Sequence, residues 1–141
     1  MGKITHLNNI LIIDDEDKLR QLLKRIISLE GFDVTGAASL HDAEKKKKKE
    51  GTDIILCDVK LPDGNGVDFV RTVKAKYPAV EIILLTAYGN IPDGVQAMRN
   101  GAFDYITKGD DNDKIIPLLH RAMEKVHLSK KLEQLQKQVG Q

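Results

Sequence analysis

ILIIDDED at residues 10–17 and IILCDVKLPDGNG at residues 54–66 decide the fold of this chain. Each stretch begins with a strand-length run of branched apolar residues, and each run ends in an aspartate, Asp14 or Asp58. Runs that are apolar on both faces are typical of strands that helices cover on both sides. Comparable runs at residues 82–85 and 102–106, and a weaker one at 32–34, predict three further strands.

Helical patterns fill the stretches between these runs. Apolar residues recur at helical spacing from Asp17, a candidate N-cap, to Gly31, and again around residues 40–43, 67–73 and 95–102. Because parallel neighbours need crossover connections, this alternation predicts an α/β fold. We expect a flavodoxin-like, doubly wound, five-stranded parallel sheet flanked by five helices, the last of them extended, with ligands bound beyond the carboxyl ends of the strands.

The composition indicates one soluble domain with a short appendage. The chain has 141 residues, of which 41% are hydrophobic and 30% charged, and this suits a single core. Twenty-two Lys and Arg against 21 Asp and Glu leave a formal net charge of +1, which provides no overall field to attract nucleic acid. The lysines at 45–49 point all around a helix axis, so they predict a solvated helix rather than a binding face.

The sequence also predicts a cytoplasmic chain without membrane contact. The first nine residues, MGKITHLNN, lack the apolar stretch of a signal peptide, and nowhere do about 18 apolar residues follow one another. The single cysteine, Cys57, cannot form an internal disulfide. It lies in an apolar run, which is typical of a small buried residue.

The last segment is longer than a helix that only covers a small sheet. From about residue 113 to 138 the pattern is helical, and Leu128, Leu132, Leu135 and Val139 alternate spacings of four and three, as in a coiled coil. Fewer than two heptads leave a frayed amphipathic tail as the alternative. We therefore predict a domain at residues 1–125 and a helical linker at 126–141.

Residues of complementary chemistry follow four of the predicted strands. Asp14 and Asp15 follow the first, Asp58 ends the third, Thr86 the fourth, and Lys108 follows the fifth. Parallel neighbours would bring these groups to one end of the sheet. Clustered carboxylates repel one another and raise each other's pKa unless a cation is present, and Mg²⁺ is a natural partner for one or two carboxylates.

Each of these signals has a structural alternative when it is taken alone. An acidic pair after a strand is also an N-cap for the next helix, and Pro, Asp and Gly after Asp58 also form a simple turn. The combination at five strand-end positions is what favours a functional site.

Four motifs in this order, IIDDED (12–17), ILCDVKLPDGNG (55–66), ILLTAYG (83–89) and AFDYITK (102–108), resemble the receiver domain of bacterial two-component response regulators. The resemblance covers roughly residues 8–125. Residues 84–108 are similar to receivers of the nitrogen-regulatory type, which activate transcription with an alternative sigma factor.

The resemblance implies a role for each strand-end residue. Asp58 would be the phosphoacceptor. Asp15, Asp58 and the backbone carbonyl of Lys60 would bind Mg²⁺ directly, and Asp14 would act through a bound water. Lys108 would pair with a phosphoryl oxygen, which supplies the charge neutralisation that phosphoryl transfer requires.

The resemblance also implies a switch and partners. Thr86 would donate its hydroxyl to the phosphoryl group, and Tyr105 would then turn inward, shifting the population of two packings. A sensor histidine kinase would supply the phosphoryl group, so the chain would be a phosphoacceptor rather than an enzyme. The terminal helix would form a homodimer and lead to a transcriptional output region absent from this chain.

Three departures from the family pattern qualify these expectations. Gly109 follows Lys108 where the family usually has proline, so the loop after the lysine is expected to be less restrained. Lys60 occupies a position whose side chain, in this family, lies over the phosphorylation site. Gly94 lies inside a predicted helix and is expected to weaken it.

Three other functions remain open from the sequence. One is a receiver that binds partners without being phosphorylated. Another is a hydrolase with an aspartyl nucleophile, but such enzymes place a second Asp two residues after the first, where this chain has Lys60. A flavin-binding module is disfavoured because no glycine-rich phosphate loop follows the first strand.

Overall fold

The computed structural model describes residues 8–46, 51–86, 91–109 and 112–139. Strands and helices alternate along the chain as the sequence predicts, with a short hairpin of two two-residue strands inserted after the third strand. The elements are β1 (Asn9–Ile13), α1 (Asp17–Leu29), β2 (Asp33–Ala37), α2 (Leu40–Lys45), β3 (Ile54–Asp58), β4 (Lys60–Leu61), β5 (Gly64–Asn65), α3 (Gly66–Lys76), β6 (Glu81–Thr86), α4 (Ile91–Asn100), β7 (Asp104–Thr107), a 3₁₀ turn (Asn112–Lys114) and α5 (Ile115–Val139).

The main sheet has five parallel strands in the order β2-β1-β3-β6-β7. This confirms the predicted doubly wound sheet. The strand order reverses beside β1, and crevices at such a reversal are where ligands bind in open α/β sheets. The pairing of Asp58 with Leu85 and of Thr86 with Thr107 brings the carboxyl ends of β3, β6 and β7 to one edge.

Alternating strand residues supply two separate cores, one on each face of the sheet. On one face Ile10, Ile12 and Leu56 pack with α1 and α5. On the other face Leu11 and Ile13 pack with α2, α3 and α4. Because helices cover both faces, the strands are apolar throughout, as the sequence runs predict.

Three local features differ from the sequence expectation. The N-cap of α1 is Glu16 rather than Asp17. In α4 the residues expected to form an apolar stripe, Val95 and Met98, are exposed, whereas Gly94 and Ala97 face inward. Helix α2 ends at Lys45, and the lysines at 47–49 lie outside the described residues.

Helix α5 carries two apolar stripes on opposite sides. Its first half buries residues of the sheet-facing side, namely Ile115, Leu118, Leu119, Ala122, Met123 and Val126. In its second half Leu128, Leu132 and Leu135 are 60%, 51% and 48% exposed. At about 100° of rotation per residue, these leucines lie roughly opposite the buried stripe. The buried stripe therefore ends at Val126, and the apolar residues that follow it face away from the sheet.

Ion pairs from the middle of α5 hold the helix against the amino ends of the strands. Lys130 Nζ lies 2.5 Å from Asp53 Oδ1, and Asp53 Oδ2 accepts the backbone N–H of Asn9 at 2.8 Å. Lys125 Nζ lies 3.5 Å from the buried carboxylate of Glu81. These contacts fix the orientation of α5, so its exposed leucines point away from the domain. Within the described residues, no helix is both long and apolar enough to cross a membrane.

Candidate functional site

The carboxyl ends of four strands deliver the predicted polar groups to one edge of the sheet. Asp14 follows β1, Asp58 ends β3, Thr86 ends β6 and Lys108 follows β7. The backbone N–H of Lys108 donates to the carbonyl of Thr86 at 3.0 Å, which continues the strand pairing up to the lysine. This pairing sets the position from which the lysine side chain reaches across to Asp58.

The ammonium group of Lys108 bridges three carboxylates. Its Nζ lies 2.9 Å from Asp58 Oδ2, 3.0 Å from Asp14 Oδ2, and in direct contact with Glu16 Oε2. The lysine side chain is largely buried, and Asp14 is completely so. The expected convergence of Asp14, Asp58 and Lys108 is therefore present in the structure.

Burial and charge shift the proton affinities of this group. Burial raises the pKa of Asp58, the charge of Asp14 adds to that effect, and the hydrogen bond from Lys108 opposes it. Burial alone would lower the pKa of Lys108, but its bonds to Glu16, Asp58 and Asp14 outweigh this and raise it. The lysine is therefore permanently charged at neutral pH.

The carboxylates also fit a hard divalent cation. One oxygen from each of Asp14, Glu16 and Asp58 lies within 4.8 Å of the others. Asp14 Oδ2 is buried and accepts no hydrogen bond, although it lies close to the lysine ammonium. Carboxylate oxygens are the ligands that Mg²⁺ prefers. Three carboxylates facing one ammonium also leave an excess of negative charge that such a cation would neutralise.

The membership of this trio differs from the expected ligand set. Asp15, expected to bind the metal directly, is exposed and outside the trio, whereas Glu16 is inside it. Sequence reasoning overlooked Glu16, although it is the third acid of the IIDDED motif. The backbone N–H of Lys60 donates to Asp58 Oδ1 at 3.4 Å. The metal-binding roles of Asp15 and of the Lys60 carbonyl stay predictions.

Two neighbouring residues on β6 and β3 are buried without joining the charged group. The Thr86 hydroxyl donates to the backbone carbonyl of Ile106 at 3.2 Å, so it is held by β7. Cys57 lies inside β3, and burial raises the pKa of its thiol. The cysteine is therefore a core residue, as predicted, rather than a nucleophile.

Tyr105 of β7 packs directly onto α4 at Gly94. A Cβ atom at residue 94 would lie 2.5 to 2.7 Å from three atoms of the tyrosine ring. Real Cβ atoms do not approach ring atoms so closely, so any larger residue would displace the ring. The sequence predicts that Gly94 weakens α4. In the structure the Tyr105 ring packs against this glycine and needs the space that a Cβ would fill.

Gly94→Ala is expected to destabilise the wild-type chain but to stabilise a Tyr105→Ala chain. In the second background only the helix propensity gain of about 0.5–1 kcal/mol remains, whereas the wild-type ring opposes the new methyl group by about 1–3 kcal/mol. Urea unfolding of the four chains measures both effects. Gln96→Ala on the exposed face of α4 is the control, and an equal effect of Gly94→Ala in both backgrounds would refute the packing argument.

Asp58→Asn is expected to raise the melting temperature by a few degrees at pH 7 in the absence of divalent cations. Because burial raises the folded pKa of Asp58 above its usual 3.8, the ionised form disfavours folding at neutral pH. That penalty disappears as the pH falls through the folded value, so the gain should vanish near pH 3.

The control for this measurement is Asp63→Asn. Asp63 accepts backbone N–H groups of Leu40 and His41, which lowers its pKa, so its substitution should lower stability at pH 7. Thermal melts followed by circular dichroism at both pH values decide the sign. A lower melting temperature of Asp58→Asn at pH 7 would mean that the Lys108 pair outweighs burial.

Known proteins are similar to this chain in sequence and in fold. Residues 10–120 match the model of the response regulator receiver domain. The DNA-binding transcriptional regulator NtrC of Proteus hauseri is 32% identical over 82% of this chain, and PilR of Pseudomonas aeruginosa is 34% identical over 80%. The chain covers 24% and 25% of those two relatives, about a quarter of each.

A solved structure supports the same assignment. The beryllofluoride-activated NtrC4 receiver domain dimer is 30% identical, with a TM-score of 0.77 over 84% of this chain and 98% of that one. The fold, the strand-end acids with their lysine, and the matched family model agree. The chain belongs to the response regulator receiver domains, the phosphorylation-controlled signalling domains of two-component systems.

Proposed function

We propose that this chain is a phosphorylation-activated switch in which Asp58 accepts a phosphoryl group from a sensor histidine kinase. The observation that carries the proposal is the position of Asp58 at the end of β3, with Lys108 Nζ 2.9 Å from its Oδ2. The carboxyl ends of the strands in a doubly wound sheet are where ligands bind. An ammonium beside it neutralises the charge of a phosphoryl group.

The transfer itself exchanges one bond to phosphorus for another. The bond between phosphorus and the histidine nitrogen of the kinase breaks, and a carboxylate oxygen of Asp58 forms a bond to phosphorus. Such transfers depend on positioning and on charge stabilisation at the phosphoryl oxygens. Lys108 supplies a permanent positive charge, and Asp14 and Asp58, with Asp15 or Glu16, would hold Mg²⁺, which adds further neutralisation when bound.

Thr86 and Tyr105 would couple phosphorylation of Asp58 to a change in packing at the surface formed by α4. The Thr86 hydroxyl now bonds to the carbonyl of Ile106, the residue next to Tyr105 on β7. A phosphoryl oxygen on Asp58 would compete for that hydroxyl, and loss of the bond to β7 would change the packing of Tyr105 against α4. The phosphoryl group acts by binding one packing better than the other.

The second half of α5 would be a linker that dimerises. Leu128, Leu132 and Leu135 form an exposed stripe that the chain's own domain cannot cover, because Lys130 holds the opposite side of the helix to Asp53. A second copy presenting the same stripe is the fitting partner for a seam of this spacing. We infer a linker at residues 126–141 leading to a transcriptional output region, as the longer relatives suggest, in a cytoplasmic protein.

The first test treats the chain with acetyl phosphate and Mg²⁺ and measures intact mass. Wild type should gain one phosphoryl group, and Asp58→Asn or omission of Mg²⁺ should abolish the gain. Asp63→Asn, which removes an exposed acid, is the control and should be phosphorylated normally. Absence of uptake would leave a phosphorylation-independent interaction module, and repeated release of phosphate from phosphomonoesters would instead indicate a hydrolase.

The second test measures sedimentation equilibrium of wild type and Leu132→Lys, with and without phosphodonor. We expect dimers of wild type at high micromolar concentration and a severalfold weaker association for the variant, because a lysine in the seam disfavours burial of the stripe. Leu29→Lys on α1, also highly exposed, is the control. Monomeric wild type under both conditions would refute the linker dimer.

A further inference from the structure

We propose that Glu16 is a positioning residue that holds the Lys108 ammonium in place for phosphoryl transfer to Asp58. This inference rests on the proposed function of Asp58. It assigns Glu16, which lies in the acidic trio but outside the expected ligand set, to the lysine rather than to the metal.

The conformation of Glu16 is the first support. Glu16 occupies the N-cap position of α1, where a short polar side chain normally accepts a backbone N–H of the first turn. Glu16 makes no such capping bond. Its carboxylate instead reaches Lys108, more than ninety positions along the chain. The side chain of Glu16 therefore serves the contact with Lys108 and does not cap α1.

The geometry around Lys108 is the second support. Asp14 and Asp58 approach the ammonium from the protein interior, whereas Glu16 is 59% exposed and approaches from the solvent side. An ammonium group has three N–H donors, and three carboxylates surround this one. Without Glu16, no carboxylate contacts the ammonium from the solvent side among the described residues.

The backbone after the lysine is the third support. Gly109 has a φ of +84°, and among the described residues no atom other than those of its chain neighbours lies within 4 Å of the position a Cβ would occupy there. The lysine is therefore restrained by strand pairing on its amino side but followed by an open glycine. A four-carbon side chain at such a position needs contacts at its charged end to stay in one place. Glu16 adds a third contact at that charged end, on its solvent side.

The test compares phosphorylation rates of wild type and Glu16→Gln with acetyl phosphate over a range of Mg²⁺ concentrations. The acetyl oxygen–phosphorus bond breaks as the Asp58 oxygen–phosphorus bond forms, and no other reactant is needed. We expect the rate at saturating Mg²⁺ to fall about threefold to tenfold, as for a charged contact of this exposure. The Mg²⁺ concentration for half-maximal rate should change less than about twofold.

A Lys108→Met background shows whether Glu16 acts through the lysine. There, Glu16→Gln should change the rate no further, because the two substitutions remove one interaction. Asp17→Asn, which removes an exposed charge one residue later, is the matched control and should phosphorylate at close to the wild-type rate. An equal loss in the Lys108→Met background, an effect confined to Mg²⁺ dependence, or a rate that is unchanged or faster would overturn the proposal.

Nitrogen-15 NMR of the lysine ammonium groups gives a readout that does not depend on phosphorylation. The protons of Lys108 Nζ should exchange with water severalfold faster in Glu16→Gln than in wild type. Equal exchange rates would contradict the proposal that Glu16 holds the ammonium in place. If wild type gains no phosphoryl group but this difference is present, the proposed function fails while the contact stands. If wild type is phosphorylated and Glu16→Gln matches it, only the positioning role fails.

Discussion

Three carboxylates around the single ammonium of Lys108 are the constraint on which this edge of the sheet depends. Burying Asp14 and Asp58 side by side is unfavourable unless a positive charge lies between them. Strand β7 must therefore end beside β6, so that Lys108 can reach across to β3 and β1. One ammonium does not balance three carboxylates, and the remaining negative charge is what makes the edge receptive to a cation.

The opposite edge of the sheet shows the same chemistry in a balanced form. The buried carboxylate of Asp53 pairs with Lys130, and that of Glu81 pairs with Lys74 and Lys125. Each of these two acids has at least one lysine from a packed helix. The ion pairs of that edge hold α5 in place. The two edges thus differ in charge balance more than in residue type.

Close packing links the charged edge to the outer surface. The Thr86 hydroxyl donates a hydrogen bond to β7, and the half-buried ring of Tyr105 on that strand packs on Gly94 of α4. One hydrogen bond and one ring packed on a glycine therefore connect β6 to α4 through β7. On the side of α4, the ring leaves no room for a residue larger than glycine at position 94.

The sequence by itself determined the parallel sheet, its five helices and the identity of Asp58, Asp14 and Lys108 as neighbours, because apolar runs and strand-end residues are local patterns. Only the tertiary structure decided which third acid meets the lysine, Glu16 rather than Asp15, since that depends on side-chain direction after β1. It also decided that Gly94 seats a ring and that the α5 leucines face outward. These contacts join residues far apart in the chain, and no local pattern specifies them.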